Sequence, residues 1–299
     1  MTANKLVFIT LMLFSVKTYS QSDSISYLHP GTASTSAAIG DSSTNERAEK
    51  THIYKLNLPV DIPVMVVGTA WSGYAFTKIY KKTPPTEAEV LSLNRKNINA
   101  FDRSNIHPYS KTLDKESYIP FYAVIPVPLV VFAIDNKMRK DYFMLVSLYY
   151  EAFSITGLFG TAAPYFVDRY RPYEYTAETP MDKKTTSWGL NSFYSGHSQV
   201  VAVSTFFCAK VYADYHPQSV MKWVYYGAAA GITGFTSYQR LMCGEHFMSD
   251  LILGSAMGAL TGILVPQFHK RPLFKNKNMT LVPWLNNDIH GLSFCYRPR

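Results

Sequence analysis

Apolar residues gather along the chain into six long runs, at positions 58–80, 119–134, 142–167, 199–212, 221–238 and 251–265. Each is long enough for a helix, and no segment of comparable length alternates apolar and polar residues as a half-buried strand would. Their glycine, alanine and aromatic content suits helix packing. The pattern predicts an all-α fold, a bundle of about six helices. Residues 81–117 are polar and connect the first run to the second. After the last run the pattern changes. "MTLVPWL" and "LSFCYRP" flank "NNDIHG", which predicts a short C-terminal β-hairpin with a loose turn.

The first residues form a separate pattern. Lys5 precedes an apolar run at 6–16, and small polar residues follow around Ser20. That is the layout of an export signal. Residues 21–50 are rich in Ser, Thr and Ala and poor in large apolar groups, so they cannot bury enough surface to fold alone. The expected organisation is a signal peptide at 1–20, a flexible leader at 21–50, a helical domain at 51–270 and a tail at 271–299.

A membrane-spanning helix needs about twenty apolar residues. Glu151, Lys210 and Lys222 interrupt three of the runs, and the mean hydropathy of −0.05 is low for a chain that crosses a membrane many times. A soluble bundle therefore competes with a membrane-associated one. "DNKMRKD", with Lys137, Arg139 and Lys140, and "HKRPLFKNKN" are the basic connections. If the runs span, both belong on the cytoplasmic side. An exported leader places residue 50 outside, so one of the first two runs cannot cross. Pro59, Asp61 and Pro63 make 58–80 the better candidate for a re-entrant or surface helix.

The net charge is +8, which suits a membrane surface or an anionic substrate. No block of Lys and Arg interleaved with aromatics occurs, which argues against nucleic acid. The three cysteines, Cys208, Cys243 and Cys295, show no metal-binding spacing and read as small apolar residues. No metal or cofactor is expected.

Three stretches carry chemistry. "DRYRPY" holds Arg169 and Arg171 after the third run. "SGH", Ser195 to His197, opens the fourth. "QRLMCGEHFMSD" holds Arg240, His246 and Asp250 between the fifth and sixth. In a bundle of consecutive antiparallel helices all three fall at one end. Guanidinium forks suit phosphate oxygens, and backbone N–H groups at a helix start form an anion site. His246 and Asp250 are four apart, so on one helix the carboxylate could hold one ring nitrogen and free the other as a nucleophile. His197 could then protonate a leaving oxygen. The parts describe phosphoryl transfer through a phosphohistidine, without a metal.

Arg171-Pro172, Ser195-Gly196-His197 and Arg240-x5-His246-x3-Asp250 resemble the three-part signature of the type 2 phosphatidic acid phosphatase superfamily, over roughly residues 58–267. Its members include lipid phosphate phosphatases, bacterial nonspecific acid phosphatases and vanadium haloperoxidases. The resemblance implies His246 as nucleophile, Asp250 as its orienting partner and His197 as general acid. It also implies Arg171, Ser195, Gly196 and Arg240 as phosphate ligands. The expected substrate is a phosphorylated lipid or small phosphoester. The expected place is the inner membrane with a periplasm-facing site, or the periplasm.

Departures are as clear as matches. The family's first motif begins with a lysine seven residues before its arginine, and Pro164 stands there. Arg169, or else Lys183 or Lys184, could supply the missing donor. Tyr194 and Gln239 replace a usual proline and serine. A soluble periplasmic acid phosphatase and a degenerate phosphate-binding protein are the alternatives. Taken singly, Ser195 reads as a helix cap, His246–Asp250 as a structural pair, and Asp102–Arg103 as an ion pair or cap.

Overall fold

The computed structural model describes residues 52–270 and, for the backbone alone, 279–286 and 289–296. Residues 52–270 hold nine helices of six residues or more and no strand. These are α1 (Leu58–Ile79), α2 (Glu87–Ser92), α3 (Lys111–Glu116), α4 (Tyr118–Val124), α5 (Val127–Ile134), α6 (Tyr142–Phe166), α7 (Gly196–Tyr215), α8 (Met221–Met242) and α9 (Met248–His269). The all-α expectation holds, and the count of about six is corrected to nine. Two causes account for the difference. The polar connection 81–117 contains short capped helices, α2 opening on the capping box of Thr86 and Glu89. The second apolar run breaks where Pro126 lacks the N–H that a continuous helix needs, giving α4 and α5. After the helices the backbone of Met279–Asn286 runs antiparallel to that of Ile289–Tyr296 as a two-stranded ribbon, and the signal peptide and leader lie outside the described residues.

α7 is the central element. It packs on α9, α8 and α6, and Val201, Ala202, Val203 and Phe207 are fully buried along it. The α7–α9 contact is set by glycines. At Gly254, Gly258 and Gly262, one turn apart on α9, a Cβ would stand 2.5 Å from Ser195 O, 2.2 Å from Gln199 O and 2.8 Å from Val203 O. No side chain fits in those gaps, so the two backbones approach as closely as small-residue seams allow. This seam brings the start of α7 against the start of α9, where Ser195 N donates to Asp250 O at 3.2 Å.

The seam makes a prediction. Gly258→Ala should lower the thermal midpoint of the detergent-solubilised protein, at a cost of about 1–3 kcal/mol for overpacking. Gly227→Ala on α8, where a Cβ meets nothing within 4 Å, should be neutral or stabilising by about 0.5–1 kcal/mol. Equal midpoints for the two variants would remove the seam argument.

Ion pairs fix the far end of the bundle. Asp214 pairs with Lys210 and Lys270 and accepts from Tyr54, while His269 joins α9 to Asp61 of α1 and Glu151 of α6. The outer faces are apolar. Val66, Val67 and Phe76 of α1 and Ile252, Leu260 and Phe268 of α9 are exposed. Three stretches, Lys111–Ile134, Met138–Phe166 and Met248–His269, are long and apolar enough to cross a membrane. Contiguous exposed apolar surface of this extent suits lipid rather than water.

Candidate active site

Three local structures deliver the site residues to one end of the bundle. The segment after α6 pairs with the segment before α7: Arg169 N donates to Leu190 O at 3.0 Å, Arg171 N to Gly189 O at 2.8 Å and Ser192 N to Arg169 O at 3.1 Å. Ser195 caps α7, its Oγ accepting from Ser198 N at 3.4 Å, the ordinary use of serine at a helix start. α8 ends at Gly244, whose φ of +71° is the left-handed conformation that stops helices. That turn reverses the chain between Arg240, in the last turn of α8, and His246, just before α9.

Both guanidiniums are buried. Arg171 donates from Nε to Trp188 O at 2.8 Å and from Nη1 to Glu245 O at 3.0 Å, and it pairs with the Glu245 carboxylate. Arg240 donates from Nη1 to Asp114 Oδ1 at 2.5 Å and Ser117 Oγ at 3.0 Å, and its Nη2 lies 3.2 Å from Glu245 Oε2. Its Nε is buried without a protein partner.

The imidazoles stand beside this pair. His246 Nδ1 lies 2.7 Å from Ser192 O. A carbonyl only accepts, so Nδ1 carries the proton and Nε2 presents a lone pair. Burial, then the charges of Arg171 and Arg240, push the His246 imidazolium well below its usual range. The His197 ring lies between Tyr118 and Phe121, with centroids at 4.5 and 4.7 Å, and its Nε2 is buried with no protein partner. Burial, then Arg240 and Arg171, also push its imidazolium well down. The two imidazoles and two guanidiniums thus share one electrostatic environment, in which His197 also disfavours charge on His246. A Cβ on Gly196 would meet nothing within 4 Å, so backbone is open to approach at the start of α7.

Two expected placements differ. Asp250 does not hold His246. Its Oδ2 accepts from Ser192 Oγ at 2.7 Å and Phe247 N at 3.1 Å, and its Oδ1 pairs with Arg169. The reason is local: His246 lies in the turn before α9, so the four-residue helical spacing does not apply to it. Arg169 is also engaged away from Arg171 and Arg240. Its guanidinium bridges Asp250 and Asp102, at 2.7 Å from Asp102 Oδ2, and lies over the Phe247 ring. Asp102 in turn accepts from Ser249 N and Oγ. Asp102 and Arg169 therefore anchor the start of α9.

Sequence reasoning missed Ser192, Asp114 and Glu245. Glu245 carried a signal, an acidic residue directly before His246 and five after Arg240. Ser192 carried none, because its carbonyl does the work. Cys208 and Cys243 are buried and free, as small apolar residues would be.

Residues 145–273 match the model of the PAP2 superfamily. No curated protein matches the chain. Two solved structures are similar to it at low identity. LpxE of Aquifex aeolicus is 18% identical, with 55% of this chain and 92% of that one covered and a TM-score of 0.40. The transmembrane PAP2-type phosphatidylglycerolphosphate phosphatase of Bacillus subtilis is 18% identical, with 72% and 98% covered and a TM-score of 0.42.

Proposed function

We propose that the chain is a membrane phosphatase that hydrolyses a lipid phosphomonoester or diphosphate through a phosphohistidine. One observation carries the reading: His246 has Nδ1 locked on Ser192 O and Nε2 free, beside two guanidiniums and the unpartnered His197 Nε2. In the first step His246 Nε2 attacks phosphorus, an N–P bond forms and the ester P–O bond breaks. The leaving oxygen takes the proton of His197. In the second step water attacks phosphorus, His197 takes a water proton, and the N–P bond breaks to release phosphate. Arg171 and Arg240 meet the charge on the equatorial oxygens throughout.

The lipid preference is supported by an open apolar groove of about 540 Å³ between α8 and α9. It starts at Leu241 and Met248, one and two residues from Arg240 and His246 respectively, and runs along Phe206 and Ile252. An acyl or isoprenoid chain could lie there with its phosphate among the arginines. The basic turn of Lys137, Arg139 and Lys140 precedes α6, and the site follows it, so the positive-inside tendency supports a site facing away from the cytoplasm. The test is to trap a phosphoenzyme by acid quench with labelled lipid phosphate in detergent micelles and to map the labelled residue. Label on His246 supports the reading, and label elsewhere or none ends it.

A pH dependence follows. The acid role needs protonated His197, and its imidazolium is disfavoured by burial, by Arg240 and Arg171, and by the positive end of α7. Bound phosphate reverses that field and favours the proton. For a small phosphomonoester, kcat, which reports the phosphate-bound complex, should therefore rise as pH falls through the ordinary imidazole range, near roughly 6.5, and turn over only at more acid pH where His246 is protonated. A maximum on the alkaline side would contradict the assignment.

A further inference from the structure

Three cations converge on one carboxylate. Glu245 is 5% exposed. Its Oε2 pairs with Arg171 and lies 3.2 Å from Arg240 Nη2, and its Oε1 lies 3.4 Å from Lys183 Nζ. Two guanidiniums and an ammonium around a pair of anionic oxygens are the surroundings a phosphate dianion needs. The carboxylate is also the residue next to His246, within the field that lowers both imidazoles.

Lys183 is loosely committed. Its ammonium lies 4.0 Å from the Tyr109 ring centroid and 5.0 Å from that of Tyr173, and its contact with Glu245 is long. Burial, then the charge of Arg171, push its pKa down to about 8. The other two replacements for the lysine that Pro164 displaces are engaged elsewhere. Lys184 donates to Thr176 O at 2.5 Å, and Arg169 bridges Asp102 and Asp250.

We propose that the Glu245 carboxylate occupies the seat that the substrate phosphate takes, that Lys183 is the third cation of that seat, and that phosphate binds by displacing the carboxylate. The proposal rests on the phosphatase reading and deepens it. Phosphate and carboxylate cannot share three cations at contact distance, since like charges there repel strongly. Entry therefore requires the Glu245 side chain to swing out. The device discriminates by charge: a dianionic monoester can replace the carboxylate on all three cations, whereas a monoanionic diester offers only one charge in exchange.

Calorimetric titration of inorganic phosphate into the full chain in detergent tests this, with wild type, Glu245→Gln, Lys183→Met and Lys183→Arg, beside para-nitrophenyl phosphate kinetics. Glu245→Gln keeps the shape and removes the competing charge, and it should bind phosphate about tenfold tighter or more, the scale of one ion pair in a partly screened site. Lys183→Met should bind about tenfold more weakly, with Lys183→Arg recovering most of the loss. Unchanged or weaker binding by Glu245→Gln would overturn the proposal and make Glu245 a clamp for the arginines. Unchanged binding by the half-buried Lys183→Met, a substitution the fold should tolerate, would remove Lys183 from the seat. Phosphate binding does not require turnover. Wild type that hydrolyses the ester while the variants show flat affinities sinks the seat alone, and wild type that binds phosphate with the expected shifts yet hydrolyses nothing sinks the phosphatase reading alone.

Discussion

Replacing His246 by asparagine should lower turnover of a phosphomonoester by at least about a thousandfold, because in the proposed mechanism it removes the atom that forms the covalent intermediate. Asparagine is chosen because its amide can still donate to Ser192 O, which His246 Nδ1 meets at 2.7 Å, so the buried carbonyl keeps a partner. The guanidiniums are untouched, and phosphate affinity should change by less than about tenfold. The split between lost turnover and retained phosphate binding marks a nucleophile. A merely structural imidazole would lose both together or neither. The matching His197→Asn variant should hydrolyse para-nitrophenyl phosphate better than an alkyl phosphate, since nitrophenolate leaves without a proton. A His246→Asn rate within tenfold of wild type would end the covalent mechanism.

How far these assignments could be made without coordinates differs from residue to residue. Arg171, His197, Arg240 and His246 come together because successive antiparallel helices return the chain to the same end, and chain order alone contains that information. The cap at Ser195 was equally legible, since serine followed by glycine and an apolar run is the usual opening of a helix. The partner of Asp250 was not. The expected His246–Asp250 contact assumed that both lie on one helix, whereas α9 begins at Met248. A shift of two residues at a helix start changes which group an imidazole meets, and helix starts are poorly marked when, as here, an aromatic residue stands at the cap. Backbone groups are the other blind spot. Ser192 acts through its carbonyl, for which residue type gives no signal. The glycines at 254, 258 and 262 were visible as composition, but the surface they face is known only once α7 is in place. Arg169 was the first candidate for the missing lysine and Lys183 or Lys184 the fallback, and the carboxylates around Arg169 take it out of contention.

Asp250→Asn tests the structure against the simpler helical reading. In the structure this carboxylate meets Ser192 Oγ, Phe247 N and Arg169, and no imidazole. The amide cannot accept on both sides, and it leaves the half-buried Arg169 with Asp102 as its remaining carboxylate. Breaking a buried charge pair costs about 3–5 kcal/mol, which for a domain of this size lowers the thermal midpoint by roughly 10 °C. Activity should fall as well, by about ten- to a hundredfold, because Ser192 loses the bond that fixes it and its carbonyl then holds His246 less firmly. The pH profile separates the two accounts. A carboxylate in contact with the His246 ring would raise its pKa, so removing it would move the acid limb of kcat/KM to lower pH. With Ser192 O as the partner the neutralised side chain is one residue removed, and the limb should stay in place while the plateau drops. A displaced limb would restore the direct contact and make the Ser192 bond incidental.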